Sequence, residues 1–309
     1  MELPIIGAHP ASQADPFLLK ARGRFYVFAS GTAEAGDSGN GVPCYVADSL
    51  FGPYEFLGNC FSVPGMKEYW APSCIEVDGK FYLYVSMMPE GEDDVHLEAL
   101  HVAVADRPEG PYKDLGQIAP PFSIDSHPVM TDEGLFLFYS VNDAEAKYAG
   151  TRIVVDKMIS PWKAEGHPVE VVSPSYEREI FQKDRFKPGQ DWYTIEGACY
   201  FEYRGNRYLL YSANSYQNPS YYVGYALAKG EGGDLRKPHY VKQGNENEPF
   251  ALLEADDQES GTGHNTVTEE NGIWYIIYHG RNPRRPERTM RIGELVFDGG
   301  ALRVKKLHG

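Results

Sequence analysis

Basic residues are scarce in this chain: 29 lysines and arginines stand against 44 aspartates and glutamates, a net charge of −15 over 309 residues. A nucleic-acid backbone would be repelled by that balance, which excludes such a partner and favours a neutral or cationic ligand. Cysteine is scarce too. Cys44, Cys60, Cys74 and Cys199 are far apart and form no CxxC pair, so they read as small buried hydrophobes rather than a disulfide frame or a zinc site. No apolar run approaches the roughly 18 residues of a membrane-spanning helix, so no membrane partner is expected. The opening Met1-Glu2-Leu3-Pro4-Ile5-Ile6 lacks a basic region ahead of a hydrophobic segment, and the expectation is a cytoplasmic protein. Amphipathic helical periodicity is missing as well.

What the chain does have is repetition. The hydrophobic fraction of 42% is ample for a buried core, and 32 glycines and 22 prolines are scattered as they are among many short strands with tight turns. One phrase recurs: a selected residue opens an apolar run, a turn glycine follows eight or nine residues later, and an aromatic-rich run comes next. The openings are Asp15, Ala71, Asp125, Glu196 and His264, and the glycines are Gly23, Gly79, Gly134, Gly205 and Gly272. SLFGPYEFLG (49–58) and RPEGPYKDLG (107–116) are nearly the same text, as duplication would leave them. Four short strands per unit and five units predict an all-β protein: a five-bladed β-propeller with four antiparallel strands per blade, residues 1–309 forming a single catalytic domain. Two stretches exceed what a blade needs, about 165–194 and 234–262, and long irregular loops of this kind tend to wall functional sites.

In a propeller the leading ends of the inner strands meet at one mouth, so the five openings should converge on a shared axis. Taken singly, each has an ordinary structural reading: Asp15 before Pro16 is turn chemistry, Glu196 is a loop carboxylate, and His264 is a hydrogen-bonded core histidine. Together they place three carboxyls and an imidazole in otherwise apolar, repeat-equivalent positions. Carboxyls crowded in that way cannot all ionise freely, and burial with mutual repulsion yields an acid and a base at neutral pH. Two such groups flanking an acetal are what glycoside hydrolysis requires. Trp70, Phe17 and Trp192 lie next to mouth positions and could face sugar rings, with packing between blades as the competing reading. Asn214 and Tyr216, in the loop after the second strand of the fourth unit, could border the site.

The motifs ADPF (14–17), YWAPS (69–73), SIDSHPV (123–129), IEGA (195–198) and GTGHNTV (261–267) together resemble glycoside hydrolase family 43. The family consists of five-bladed propellers that cleave arabinose- or xylose-containing glycans with inversion. The resemblance implies Asp15 as general base, Asp125 as pKa modulator and Glu196 as general acid. It also implies that His264 lies under the sugar site, beside a largely water-coordinated calcium or similar cation of structural rather than catalytic use, and that Arg288 points at the bound sugar. Arg291, three residues on, would face the other way. The chain departs from the family's pattern at Ala198, where proline is more common. The sucrose-cleaving propellers of families 32 and 68 read differently around the acids, which favours water over a carboxylate nucleophile. The implied activity is an exo-acting α-L-arabinofuranosidase or β-D-xylosidase on small oligosaccharides, in a chain that could assemble into oligomers. The rivals are a non-catalytic glycan-binding propeller, which would not need all three acids, and a WD- or kelch-type interaction propeller, whose repeat signatures are missing.

Overall fold

Two-residue turns set the inner hairpins. At Arg22-Gly23, Asp78-Gly79, Arg204-Gly205 and Asn271-Gly272 both residues have positive φ, 48–54° followed by 74–81°. That backbone suits the right-handed twist of paired strands, and glycine second makes it accessible. The computed structural model describes residues 1–32, 40–298 and 301–307.

The described residues form five sheets of mainly antiparallel strands. The first blade holds Phe17–Ala21, Arg24–Phe28, Val42–Ala47 and Tyr54–Phe61, and the second Met66–Val77, Lys80–Pro89, Ala99–Ala105 and Lys113–Gln117. The third runs Ser123–Thr131, Gly134–Asp143 and Gly150–Ser160, with Val169–Val172 outside. Ile195–Tyr203, Asn206–Ala213 and Tyr222–Lys229 build the fourth, edged by the short strands Val241–Lys242 and Leu253–Glu254. The fifth is Ser260–Glu270, Ile273–Arg281, Arg288–Asp298 and Ala301–Lys306. The inner strands touch one another in order, and the fifth touches the first, so the sheets close into a propeller. No helix among the described residues is long and apolar enough to cross a membrane.

The continuous apolar runs now have a cause. Each blade is covered on both faces, so alternate residues of one strand enter different cores. Phe81, Leu83 and Val85 pack toward the first blade, while Tyr82 and Tyr84 join Leu135, Leu137 and Tyr139 of the third. The same alternation builds the remaining three inter-blade cores. Cys44, Cys60, Cys74 and Cys199 are buried free thiols.

Two departures from four strands per blade matter. In the third, Ile180–Gln182 and Trp192–Tyr193 come from the long insertion and join the sheet through Gly150 and Tyr193. In the first, Ile5–Ile6 adds a parallel strand beside Tyr54 and Glu55. The residues just before it pair with the last blade: Leu3 N–H donates to Met290 O (2.9 Å), and Ile292 N–H to Met1 O (2.9 Å). The N-terminal segment therefore stitches the seam between fifth and first blades, with the buried Leu3 side chain in the core between them. Leu3→Ala is expected to cost about 2–4 kcal/mol of stability through the cavity it leaves, read as a lower midpoint in denaturant unfolding. Ile6→Ala, at a side chain 52% exposed, should stay within ~0.5 kcal/mol.

Candidate active site

At the mouth of the channel each inner strand is broken by a bulge, and the bulge aims the chemistry. Register shifts fall between Trp70 and Ser73, Ile124 and His127, Glu196 and Cys199, and Gly263 and Asn265. The first blade has the equivalent irregularity at Asp15-Pro16, between the Ser30–Ala14 hydrogen bond and the Phe17–Phe28 pair. Asp15, Ala71, Asp125 and His264 occupy the left-handed region there, at φ 52°, 44°, 60° and 41°. Non-glycine residues rarely adopt that backbone, and bulges next to sites commonly re-aim side chains.

The fourth blade corrects the repeat alignment read from the sequence. Its left-handed residue is Gly197 (φ 64°), so Glu196 stands one place earlier, level with Trp70 and Ile124 rather than with the two aspartates. The acid reaches the site from a different position of the bulge. Glycine at 197 permits the left-handed turn, and a β-carbon there would stand 3.4 Å from the His264 ring.

Asp15, Asp125, Glu196, His264, Trp70, Tyr216 and Arg288 line one cavity of about 390 Å³. Asp15 is clamped. Its Oδ2 accepts from the Ser30 hydroxyl (2.6 Å), and its Oδ1 accepts from Arg288 Nη1 (3.2 Å). Burial opposes its ionisation, but Arg288 first, with His264 and His279 beside it, holds its pKa well below the usual carboxylate range. The Asp15 main-chain N–H donates to His279 Nδ1 (3.1 Å), so that nitrogen is an acceptor and its 3.1 Å approach to Asp15 Oδ1 is not a donated hydrogen bond. Burial lowers the His279 pKa to about 4, which keeps the ring neutral, and its Nε2 has no hydrogen-bond partner among the described residues. Arg288 is thus the leading stabiliser of the Asp15 charge, and the Ser30 hydroxyl bonds the other carboxylate oxygen.

The other two acids are pushed the opposite way. Burial, with Tyr221 partly opposing it and Asp15 adding repulsion, raises Glu196 to about 7; the Tyr221 hydroxyl donates to its Oε1 (3.0 Å). Asp125 is driven well above the ordinary value by burial, then by Glu196 and Asp15, although Gly197 N–H donates to its Oδ2 (3.1 Å). His264 Nδ1 lies 3.5 Å from Asp15 Oδ1 and 3.8 Å from Asp125 Oδ2, with burial lowering its pKa. One ionised carboxyl and two that hold their protons therefore share the cavity.

The remaining expectations divide. Trp70 lines the cavity with its indole N–H on Glu68 Oε2 (3.0 Å), and Arg288 stacks on the Tyr216 ring at 4.1 Å. Arg291 turns away to Glu259 (3.0 Å). Phe17 lies outside the lining and packs on His127 with ring centroids 5.9 Å apart. Trp192 is buried beneath Phe186 and Arg185. Asn214 is a loop clamp: its Nδ2 donates to Arg178 O (2.6 Å) and Ile180 O (2.9 Å), tying the fourth blade to the insertion. The sequence reading missed Ser30, His279 and Tyr221. A histidine ending the apolar run Ile276-Ile277-Tyr278 was a signal, whereas the serine and tyrosine gave none. It also missed Glu98, a buried carboxyl pushed up to about 10 by burial, Glu68 and Asp125, with both oxygens unpartnered among the described residues.

A calcium ion held by protein oxygens fits these residues poorly. Such ions take about six to eight oxygen ligands, and among the described residues no group of three or more His, Cys, Asp or Glu side chains is arranged as a metal cage. A largely water-coordinated ion beside His264 would need no such cage.

The whole arrangement has relatives. An extracellular exo-α-(1→5)-L-arabinofuranosidase of Streptomyces avermitilis is 27% identical over 225 residues, 69% of this chain but 43% of the relative, so the chain spans less than half of that protein. A β-xylosidase of Xylanibacter ruminicola is 24% identical over 319 residues, covering 92% of this chain and 93% of its own. The crystal structure of a thermostable family-43 glycoside hydrolase superposes with a TM-score of 0.78 at 26% identity, covering 96% of this chain and 93% of that one. The family model for glycosyl hydrolases family 43 matches residues 8–301, and the chain belongs to that family.

Proposed function

We propose that the chain is an inverting, exo-acting glycoside hydrolase that removes a terminal α-L-arabinofuranosyl or β-D-xylosyl unit from short oligosaccharides. The observation that carries this reading is that carboxyls with opposite partners share one cavity: Asp15 is paired with Arg288, which holds its pKa down, and Glu196 is buried against Tyr221, with its pKa raised to about 7. In this scheme Asp15 takes a proton from the water that attacks the anomeric carbon. Glu196 gives its proton to the departing glycosidic oxygen, which leaves as a hydroxyl. Asp125, kept neutral, adds no second negative charge beside Glu196 and faces the Gly197 N–H. Tyr221 holds the Glu196 carboxyl in place. Trp70 and the Arg288–Tyr216 stack bound the cavity, as a site for one terminal sugar would require. The names of the two curated relatives, an exo-arabinofuranosidase and a β-xylosidase, point to the same pair of sugars. No step uses a metal ion.

Glu196→Gln and Asp15→Asn are each expected to lower kcat by roughly 10²–10⁴-fold while product-sugar binding persists, checked by aryl-glycoside kinetics and calorimetry. Near-normal turnover by either variant removes that residue from the scheme. The pH profile follows from the two shifts. The base is competent once pH exceeds the lowered Asp15 pKa, and the acid is lost as pH rises through the Glu196 value, so kcat/KM should fall on the alkaline side with an inflection at about 7. A flat profile to pH 9 would contradict the assignment of the acid. Proton NMR of the first-formed anomer decides the stereochemistry; a retained anomer would overturn the water-attack scheme.

A further inference from the structure

Beyond the cavity, on the side of the second and third blades, three segments that share no strand bring their rings to one place. His96 comes from the short turn Val95–Leu97, Phe122 stands just ahead of Ser123–Thr131, and Phe186 belongs to the insertion before the fourth blade. The His96 ring centroid is 6.2 Å from that of Phe122 and 6.2 Å from that of Phe186. Asp94 fixes the imidazole, accepting from its Nδ1 (2.7 Å) and from the His96 N–H (2.9 Å). Phe186 is 57% exposed yet stands on a firm footing: the buried Trp192 meets it edge-on at 5.2 Å, and the Arg185 guanidinium lies 5.2 Å from its ring.

The group is continuous with the cavity. Val95, the neighbour of His96, lines it, as do Asp93 and Lys67, and Ile124 does so two residues after Phe122. An apolar surface held rigid at the rim of a deep polar cavity is unlike the single exposed hydrophobics scattered over any protein surface. The C–H faces of a sugar ring carry slight positive charge and pack on the electron-rich face of an aromatic ring, while hydroxyls at the edge need polar partners. Lys67 and the fully exposed Asp93, paired at 3.4 Å in the cavity lining, supply those partners.

We propose that this ledge binds the leaving-group side of the oligosaccharide, taking the sugar units beyond the scissile bond. The proposal rests on the hydrolase reading above and specifies its substrate: a chain of several units rather than a disaccharide. The insertion between the third and fourth blades is thus a specificity element, with Phe186 as its contact and Trp192 as its support.

The test compares aryl glycosides with arabino- and xylo-oligosaccharides of two to five units, on the wild type and on Phe186→Ala and Phe186→Trp. For the wild type, kcat/KM should rise with chain length from two units to four. In Phe186→Ala the ratio of tetrasaccharide to aryl-glycoside kcat/KM should drop about tenfold, equivalent to ~1.4 kcal/mol, chiefly through KM, and Phe186→Trp should restore it. A length-independent wild type, or a Phe186→Ala ratio equal to wild type with aryl glycosides still cleaved, overturns the ledge alone. A wild type that cleaves neither substrate class overturns the hydrolase reading, and the ledge with it.

Discussion

One guanidinium decides the protonation of the site. Asp15, Asp125 and Glu196 are all withdrawn from water, and burial by itself would favour the neutral acid in each. Arg288 contacts Asp15 directly, so the charge settles there. Once Asp15 is ionised, its field adds to the cost of ionising the other two. A single ion pair thus produces three different carboxyls from three similar environments. The imidazoles are secondary: burial lowers the pKa of both His264 and His279, and their proximity adds to the hold that Arg288 has on the Asp15 charge.

The geometry that makes this economical is the bulge at the start of each inner strand. A regular strand would send successive side chains to opposite faces and bury half of these residues in the inter-blade cores. The left-handed residue breaks the alternation, so that Asp15, Asp125 and His264 emerge along the axis instead. The strain of that backbone is held by the hairpin behind it and by hydrogen bonds across the axis. Gly197 N–H to Asp125, Ala71 N–H to Ser30 (2.8 Å) and His264 N–H to Ser212 (2.8 Å) each tie one blade to the next.

Much of this was legible in the sequence, for a physical reason. Propeller blades are local units, and their turn glycines and doubly buried strands leave a periodic record. The openings at Asp15, Asp125 and His264 could be read because an ionisable residue at the head of an apolar run is costly without a purpose. The one-residue offset of Glu196 could not be read, since spacing to Gly205 differs by no more than the bulge itself varies. Long-range partners were also hidden. Ser30 and Tyr221 look like ordinary strand and loop residues until the ring closes, and Trp192, which could face a sugar or pack in a core, is buried beneath Phe186 and Arg185. Asn214 stood in the right loop, but its amide is consumed by the main chain of the insertion.

The stitched seam has a temporal meaning. Asp15 belongs to the first blade and Arg288 to the last, and Gln13 N–H and the Ser12 hydroxyl both bond the Arg288 carbonyl (2.7 and 3.3 Å). A ribosome delivers the N-terminal blades first, so every acid of the cavity exists before its cation has been synthesised. The nascent chain holds these carboxyls without their cation, and the charge pattern that sets Asp15 apart from Asp125 and Glu196 arises at the moment the circle is completed.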